Sequence, residues 1–330
     1  MHTLYVSQQG CSISLQQEQL IVRRGEEIQQ RVQLPLIEQV LVFGQSQVTT
    51  QAIRACLKHE VQILYLSRMG QCCGRLIPIS QGYRQLARYQ VEVPEEVRLQ
   101  IAKAIVASKL RNSRVILQRQ ARQRPSEAIY RAIGQLEELI KQIDQAAENQ
   151  VLMGIEGAGA AAYFPALGDC LTNGDFQFSE RTRRPPSNPV NALLSFGYQL
   201  LWNHLYSLIE AQNLDPYEAC LHQGTRKHPA LASDLLEPFR APLADSLMLY
   251  LVNHHVVDAG NDFTFNRGGC YLNSGGRRKY LRAFIARMEE EIKAGEENSH
   301  PRWNLLMNQV KQYKQFVYDQ RSEFQPYLIR

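Results

Sequence analysis

The seven cysteines of this 330-residue chain, at positions 11, 56, 72, 73, 170, 220 and 270, include no Cys-x-x-Cys pair. That spacing argues against a zinc knuckle or a thioredoxin-type redox site. They read as reduced, buried small hydrophobes, and only the adjacent Cys72 and Cys73 invite a chemical reading. The sequence also lacks a Walker A loop, a Gly-x-Gly-x-x-Gly fingerprint, a Gly-x-Ser-x-Gly elbow and a His-Glu-x-x-His pair. These absences count against a nucleotide hydrolase, a dehydrogenase, a serine hydrolase and a metalloprotease. No apolar run approaches the roughly 20 residues of a membrane helix. The opening Met1-His-Thr-Leu-Tyr-Val-Ser has no charged-then-apolar signal pattern. A cytoplasmic protein with no membrane partner is the expectation.

What is present fits a folded protein, with 44% apolar and 21% charged residues. The net charge of +5 is mildly basic, short of what identifies a nucleic-acid binder by itself. The length favours two domains. Leu4–Val6, Cys11–Leu15, Leu20–Val22, Val32–Leu34, Val40–Phe43 and Ile63–Leu66 are β-favouring runs separated by turn residues, with one short helix over Thr49–His59. From about Pro94 the period becomes helical, with helices expected near 97–124, 126–147, 151–164, 189–213, 231–257, 276–294 and 302–324. The expected fold class is α+β: a small, mainly-β N-terminal domain over 1–85, a linker over 86–95 and a larger all-α domain over 96–330.

Three separated residues carry the chemistry. Glu156 sits in Gly154-Ile-Glu-Gly-Ala-Gly159, where small neighbours let other backbone come close to a carboxylate. His222 precedes Asp234-Leu-Leu-Glu237-Pro-Phe-Arg240, whose two acids share one helix face. Two carboxylates and an imidazole on a basic chain suggest a divalent-metal site acting on a polyanion. A histidine ligand suits Mn²⁺ beside a site that tolerates Mg²⁺. A capped or salt-bridged acidic pair is the plainer reading of Asp234 and Glu237. His228 is a rival to His222, but its cationic neighbours Arg226 and Lys227 point toward DNA or solvent. His254 and His255 are adjacent and read as ordinary helix residues.

Cations cluster in three places. The 97–124 stretch has eight Lys or Arg and no acid, with Arg111, Arg114 and Arg122 able to share a face. Such a run is either a solvated face or a phosphate-contacting one. Arg181, Arg183 and Arg184 lie in a proline-stiffened loop leading into the helix at 189, where bidentate phosphate contact competes with a plain linker. Arg277, Arg278 and Lys279 follow two glycines at a helix start, a position that attracts anions. With Arg226, Lys227, His228 and Arg240 they form the expected DNA-contacting set.

The segments Arg181–Tyr198, Leu221-His222, Asp234–Arg240 and Glu156-Gly157 with Tyr163-Phe164 resemble those of the CRISPR adaptation integrase family, CRISPR-associated protein one. The resemblance runs along nearly the whole chain and agrees with the fold read from periodicity. It implies a metal-dependent endonuclease that inserts spacer DNA into a CRISPR array, with Glu156, His222 and Glu237 as metal ligands and Asp234 close by. It further implies double-stranded and branched DNA as substrates, a homodimer using the β domain, and a small companion adaptation subunit. His228-Pro229-Ala230 departs from the family's usual stretch. The alternatives are a DNA-binding scaffold without catalysis, and a general nuclease for branched repair intermediates.

Overall fold

The computed structural model describes residues 2–67, 72–78, 83–224, 228–293, 299–320 and 323–329. Arg226 and Lys227 therefore lie outside the described residues. The N-terminal strands are β1 (His2–Val6), β2 (Cys11–Gln16), β3 (Gln19–Arg24), β4 (Glu27–Gln33), β5 (Ile37–Phe43), β6 (Gln47–Val48), β7 (Gln62–Leu66) and β8 (Cys72–Leu76). Between β6 and β7 runs α1 (Thr50–Lys58), where the Thr49 hydroxyl accepts the Ala52 N–H as an N-cap. The strands make two four-stranded sheets, in the orders β1-β5-β7-β8 and β4-β3-β2-β6. β1, β5 and β7 run parallel, and β8 is antiparallel to β7.

Residues Val40 to Phe43 are all buried, and their period of two sends them to opposite faces. Val40 and Val42 join Ile13, Leu20 and Ile63 in a cluster beneath the second sheet. Leu41 and Phe43 join Leu64 and Leu66 in the core of the helical region. The first sheet is thus covered on both faces, which explains its continuous apolar strands. It is a wall shared by the two regions of the chain. Most of the 86–95 stretch is α2 (Tyr83–Val91), with Leu86 buried in the helical core.

The helical region comprises α3 (Glu95–Gln123), α4 (Glu127–Gln142), α5 (Asn149–Asp169), α6 (Pro189–Ala211), α7 (Ala230–Leu236), α8 (Ser246–Asn253), α9 (Ser274–Glu289) and α10 (Trp303–Tyr318). Two short hairpins interrupt it, β9 (Phe263–Asn266) with β10 (Gly269–Leu272), and β11 (Glu291–Lys293) with β12 (Ser299–Pro301). Their strands span only three or four residues, too short for alternation to be read in the sequence. By length and composition α5 could cross a membrane. In this fold it packs on α3 and α4 and carries Glu156.

One difference from the sequence reading decides the site. The expected helix over 231–257 is broken into α7, a 3-10 turn at Glu237–Phe239, a π turn at Arg240–Asp245 and α8. Pro238 and Pro242 are the cause, because each removes an N–H that an α-helix requires. His254 and His255 lie just past the end of α8, and His255 has a positive φ of 53°.

Candidate functional site

Asp234 sits on α7 and is fully buried. Its Oδ2 accepts the backbone N–H groups of Cys220 and Leu221, each at 2.8 Å, and its Oδ1 accepts that of His222 at 3.0 Å. The same Oδ1 lies 2.7 Å from His222 Nδ1. A carboxylate only accepts, so Nδ1 carries the proton and the lone pair of Nε2 is left free. Asp234 thereby fixes both the 220–222 backbone and the imidazole tautomer. It is a positioning residue, a role the sequence reading did not separate from the ligands. For His222, burial disfavours the cation, but the Asp234 hydrogen bond and the Glu237 charge outweigh it and raise the pKa above its ordinary value.

Glu237 begins the proline-forced turn, and its backbone N–H still reaches the Asp234 carbonyl. The Pro238 carbonyl, denied its helical partner by Pro242, accepts from Asn112 Nδ2 at 2.7 Å. The Glu237 side chain is only 3% exposed and faces three positive or ionisable groups. Arg240 lies 3.0 Å from Oε1, Lys109 Nζ 2.6 Å from Oε2, and His222 Nε2 3.9 Å from Oε1. Burial alone would raise this carboxyl; Arg240, Lys109 and His222 outweigh it and hold it at about 2.

Glu156 reaches the same place from α5. A Cβ on Gly159, one turn on, would come within 2.4 Å of a Leu110 side-chain methyl on α3, so glycine there leaves room for the Leu110 side chain. Gly154 and Gly157 face open space, so at none of these three glycines does other backbone make the close approach expected of the small residues. Beside Leu110 is Lys109, whose ammonium contacts Glu156 Oε1 as well as Glu237. Lys109 is the residue the sequence reading missed. In the sequence the basic stretch of α3 stands out for its arginines, yet Arg114 pairs with Glu137 at 3.5 Å, while Lys109 reaches the site.

The structure therefore brings Glu156 and Glu237 onto one ammonium, with His222 beside Glu237 and Asp234 behind the imidazole. As they stand, no three His, Cys, Asp or Glu side chains among the described residues form a metal cluster. The donor set nonetheless fits a divalent ion. Glu237 Oε2 is buried without a hydrogen bond despite its ion pair with Lys109. His222 has its second nitrogen anchored by a carboxylate, the usual arrangement behind a metal-ligating histidine.

Arg240 lies over the Tyr198 ring at 4.6 Å, and Arg181 lies 5.4 Å from the same centroid. Tyr198 and Tyr163 both donate to Asp245, at 2.6 and 3.0 Å, and burial raises that carboxyl to about 6. Arg181 also donates to Asn191 Oδ1 and Ser195 Oγ, both at 2.9 Å. Arg181 and Arg240 are thus engaged inside the protein. Lys279 is paired with Asp262 at 2.6 Å. Arg183, Arg184, His228, Arg277 and Arg278 are exposed. His228 stacks on Trp202 and meets Ser233 Oγ at 3.0 Å. A cleft of about 980 Å³, lined by Arg98, Asn149 and Tyr217 among others, opens beside His222.

A β wall leads into a helical body that gathers two glutamates, a histidine and its buried aspartate, the frame of a mixed α+β protein with one acidic site. A solved structure titled "Partial Cas6-RT-Cas1--Cas2 complex" superposes with a TM-score of 0.83 at 26% identity, covering 99% of this chain and 98% of that one. The family model described as "CRISPR associated protein Cas1" matches residues 4–286, and the chain belongs to that family. A Cas1 endonuclease of Thermus thermophilus is 30% identical, covering 99% of this chain and 95% of its own. A Cas4/Cas1 fusion of Geobacter sulfurreducens is 34% identical over 87% of this chain. The chain spans about half of that fusion's length, 52%.

Proposed function

We propose that this chain is a divalent-metal-dependent DNA integrase and endonuclease of CRISPR adaptation. In this reading the 3′-hydroxyl of a spacer attacks a phosphodiester of the array. The new P–O bond joins the spacer strand, the array strand's P–O3′ bond breaks, and the released 3′-oxygen leaves as a hydroxyl, a proton having been lost by the attacking one. The observation that carries it is the convergence of Glu156 and Glu237 on one positive charge, with the free Nε2 of His222 beside them. Glu156, Glu237 and His222 Nε2 would hold Mg²⁺ or Mn²⁺. When bound, such an ion supplies positive charge to the attacked phosphate and to the departing oxygen.

The chain's own groups do the rest. Asp234 holds a His222 proton on Nδ1, so that in the neutral ring Nε2, on the side of Glu237, is the nitrogen with the lone pair. Arg240 keeps Glu237 ionised and in place. Arg183, which lines the same small recess as Lys109 and Arg240, would meet the phosphate backbone next to the reacting group. Hydrolysis of branched or double-stranded DNA would use the same site with water as nucleophile. A homodimer and a small companion subunit complete the proposal. The companion is supported by the Cas1–Cas2 complex the chain superposes on.

A second reading, a DNA-binding scaffold without chemistry, is favoured by the ion pairs of Lys109 and Arg240, which together balance the two glutamates as they stand. Strand transfer of short duplex DNA into a supercoiled array plasmid separates the readings. It is run with Mn²⁺, Mg²⁺ or EDTA, with and without the companion subunit. Metal-dependent joining supports the integrase. Cutting without joining indicates a repair-type nuclease. Binding with neither indicates the scaffold.

A further inference from the structure

Between the β wall and the helical body lies a cavity of about 300 Å³ that the site chemistry does not use. Phe43 lines it from β5, Leu200 and His204 from α6, Phe284 from α9 and Trp303 from the start of α10. Junctions between packed regions are where small-ligand sites occur, and this volume falls at the lower end of their range. Glu156, His222 and Glu237 are not among its walls.

Its walls hold polar atoms that the packing leaves unused. His204 is 1% exposed and Trp303 3%. Neither ring nitrogen of His204, nor Trp303 Nε1, meets a hydrogen-bond partner among the described residues. Such burial costs stability, and a phenyl ring in place of the imidazole would pack among the same neighbours without that cost. Those neighbours are close: the ring centroids of Trp303, Tyr5 and Phe43 lie 4.8, 5.7 and 6.1 Å from that of His204. Burial holds the imidazole's pKa down at about 3. It is therefore neutral, with one N–H to donate and one lone pair to accept. Only one charged residue lines the cavity, Arg278, and it is exposed. The polar groups beside it are engaged: the Ser7 hydroxyl donates to Glu289 at 3.1 Å, and the Gln9 amide to the Ser7 and Phe43 carbonyls. Arg278 is thus the charge a ligand would meet at the mouth.

We propose that this cavity binds a small aromatic carboxylate with a hydroxyl at its far end, the ring lying among Phe43, His204, Phe284 and Trp303 and the carboxylate left at the mouth with Arg278. A flat ring suits walls that are themselves largely rings. A hydroxyl both donates and accepts, which is what His204 and Trp303 leave unused. A carboxylate is the group a guanidinium recognises where no acid lines the site. The site is separate from the acidic one and does not depend on the DNA reading of the chain.

The experiment is a calorimetric titration of the full chain, without DNA or metal, using 6-hydroxy-2-naphthoate, 2-naphthoate and 2-naphthol. The hydroxy acid should bind one per chain, and each of the other two about 5-fold more weakly. Arg278→Glu should weaken both acids about 5-fold or more and spare 2-naphthol. His204→Phe keeps a ring and removes both nitrogens. It should cancel the advantage of the hydroxyl, so that the two acids bind alike, while the ligand-free melting temperature holds or rises. Leu281→Trp, at a half-buried position of the lining, should block all three probes. No saturable binding of any probe at millimolar concentration overturns the proposal. So does binding that survives Leu281→Trp, or a hydroxyl advantage that persists in His204→Phe. Equal losses of all three probes in Arg278→Glu would also overturn it, since the carboxylate would then not be what Arg278 meets.

Discussion

Asp234 and His222 are joined twice: one carboxylate oxygen lies within hydrogen-bond reach of both the His222 backbone N–H, at 3.0 Å, and its ring Nδ1, at 2.7 Å. The backbone and the ring are thus fixed by a single buried group. Asp234→Asn would turn an N–H₂ toward N–H donors on one side. Stability should fall by about 1.5–3 kcal/mol, the usual worth of hydrogen bonds to a charged group. Urea unfolding measures this. Activity should fall further than stability explains, because His222 loses its tautomer lock.

Lys109 gives a separate expectation. Replacing it by Met leaves Glu156 and Glu237 facing each other without their shared cation. Metal-free stability should drop on the order of 3 kcal/mol, as when one partner of a buried pair is removed. Added Mn²⁺ should then raise the melting temperature more in Lys109→Met than in wild type. An equal rise in both would show that the ammonium does not stand where an ion binds.

The pH dependence follows from His222. Its pKa is raised in the fold, so the imidazole stays protonated to higher pH than a free histidine. A ligand must be neutral, so activity should be lost on acidification starting above about 6.5, the ordinary histidine value. The stability contribution has the opposite sense: present below about 6.5 and lost as pH rises through the folded pKa. Glu237 works the other way. Its carboxyl, held at about 2, contributes stability that is present above the ordinary carboxylate range and lost only as pH falls toward 2. A pH–rate profile unchanged by Asp234→Asn would contradict the His222 assignment.

Arg183→Ala with Arg184→Ala should weaken DNA binding and flatten its salt dependence by roughly 1 for each phosphate no longer neutralised. Arg181→Ala should instead act through stability, since its guanidinium is engaged by Asn191 and Ser195. Binding measured across a salt series distinguishes the two.

Much of this was legible in the chain. Runs of β-favouring residues between turn signals marked the strands, and the i, i+3, i+4 stripes marked most helices, because that period records which side faces the core. Glu156, His222, Asp234 and Glu237 stood out by their neighbours. Lys109 did not, since one lysine among the other cations of α3 gives no sign of which one turns inward. Charge alone places Arg181 and Arg240 in the expected phosphate-contacting set; the Tyr198 ring between them and the Glu237 carboxylate beside Arg240 are visible only in the fold. The break after Leu236 was available in principle from Pro238 and Pro242, yet the apolar stripe through 231–252 masked it. β8 and the two late hairpins are too short to show a period.

The central claim is that Glu156, His222 and Glu237 hold one divalent ion. Crystals grown with Mn²⁺, measured at the manganese absorption edge, test it directly. The prediction is a single anomalous peak within bonding distance of both glutamates and His222 Nε2, with Lys109 displaced from between them. Density at that place still occupied by the Lys109 ammonium, with no anomalous peak, would contradict it.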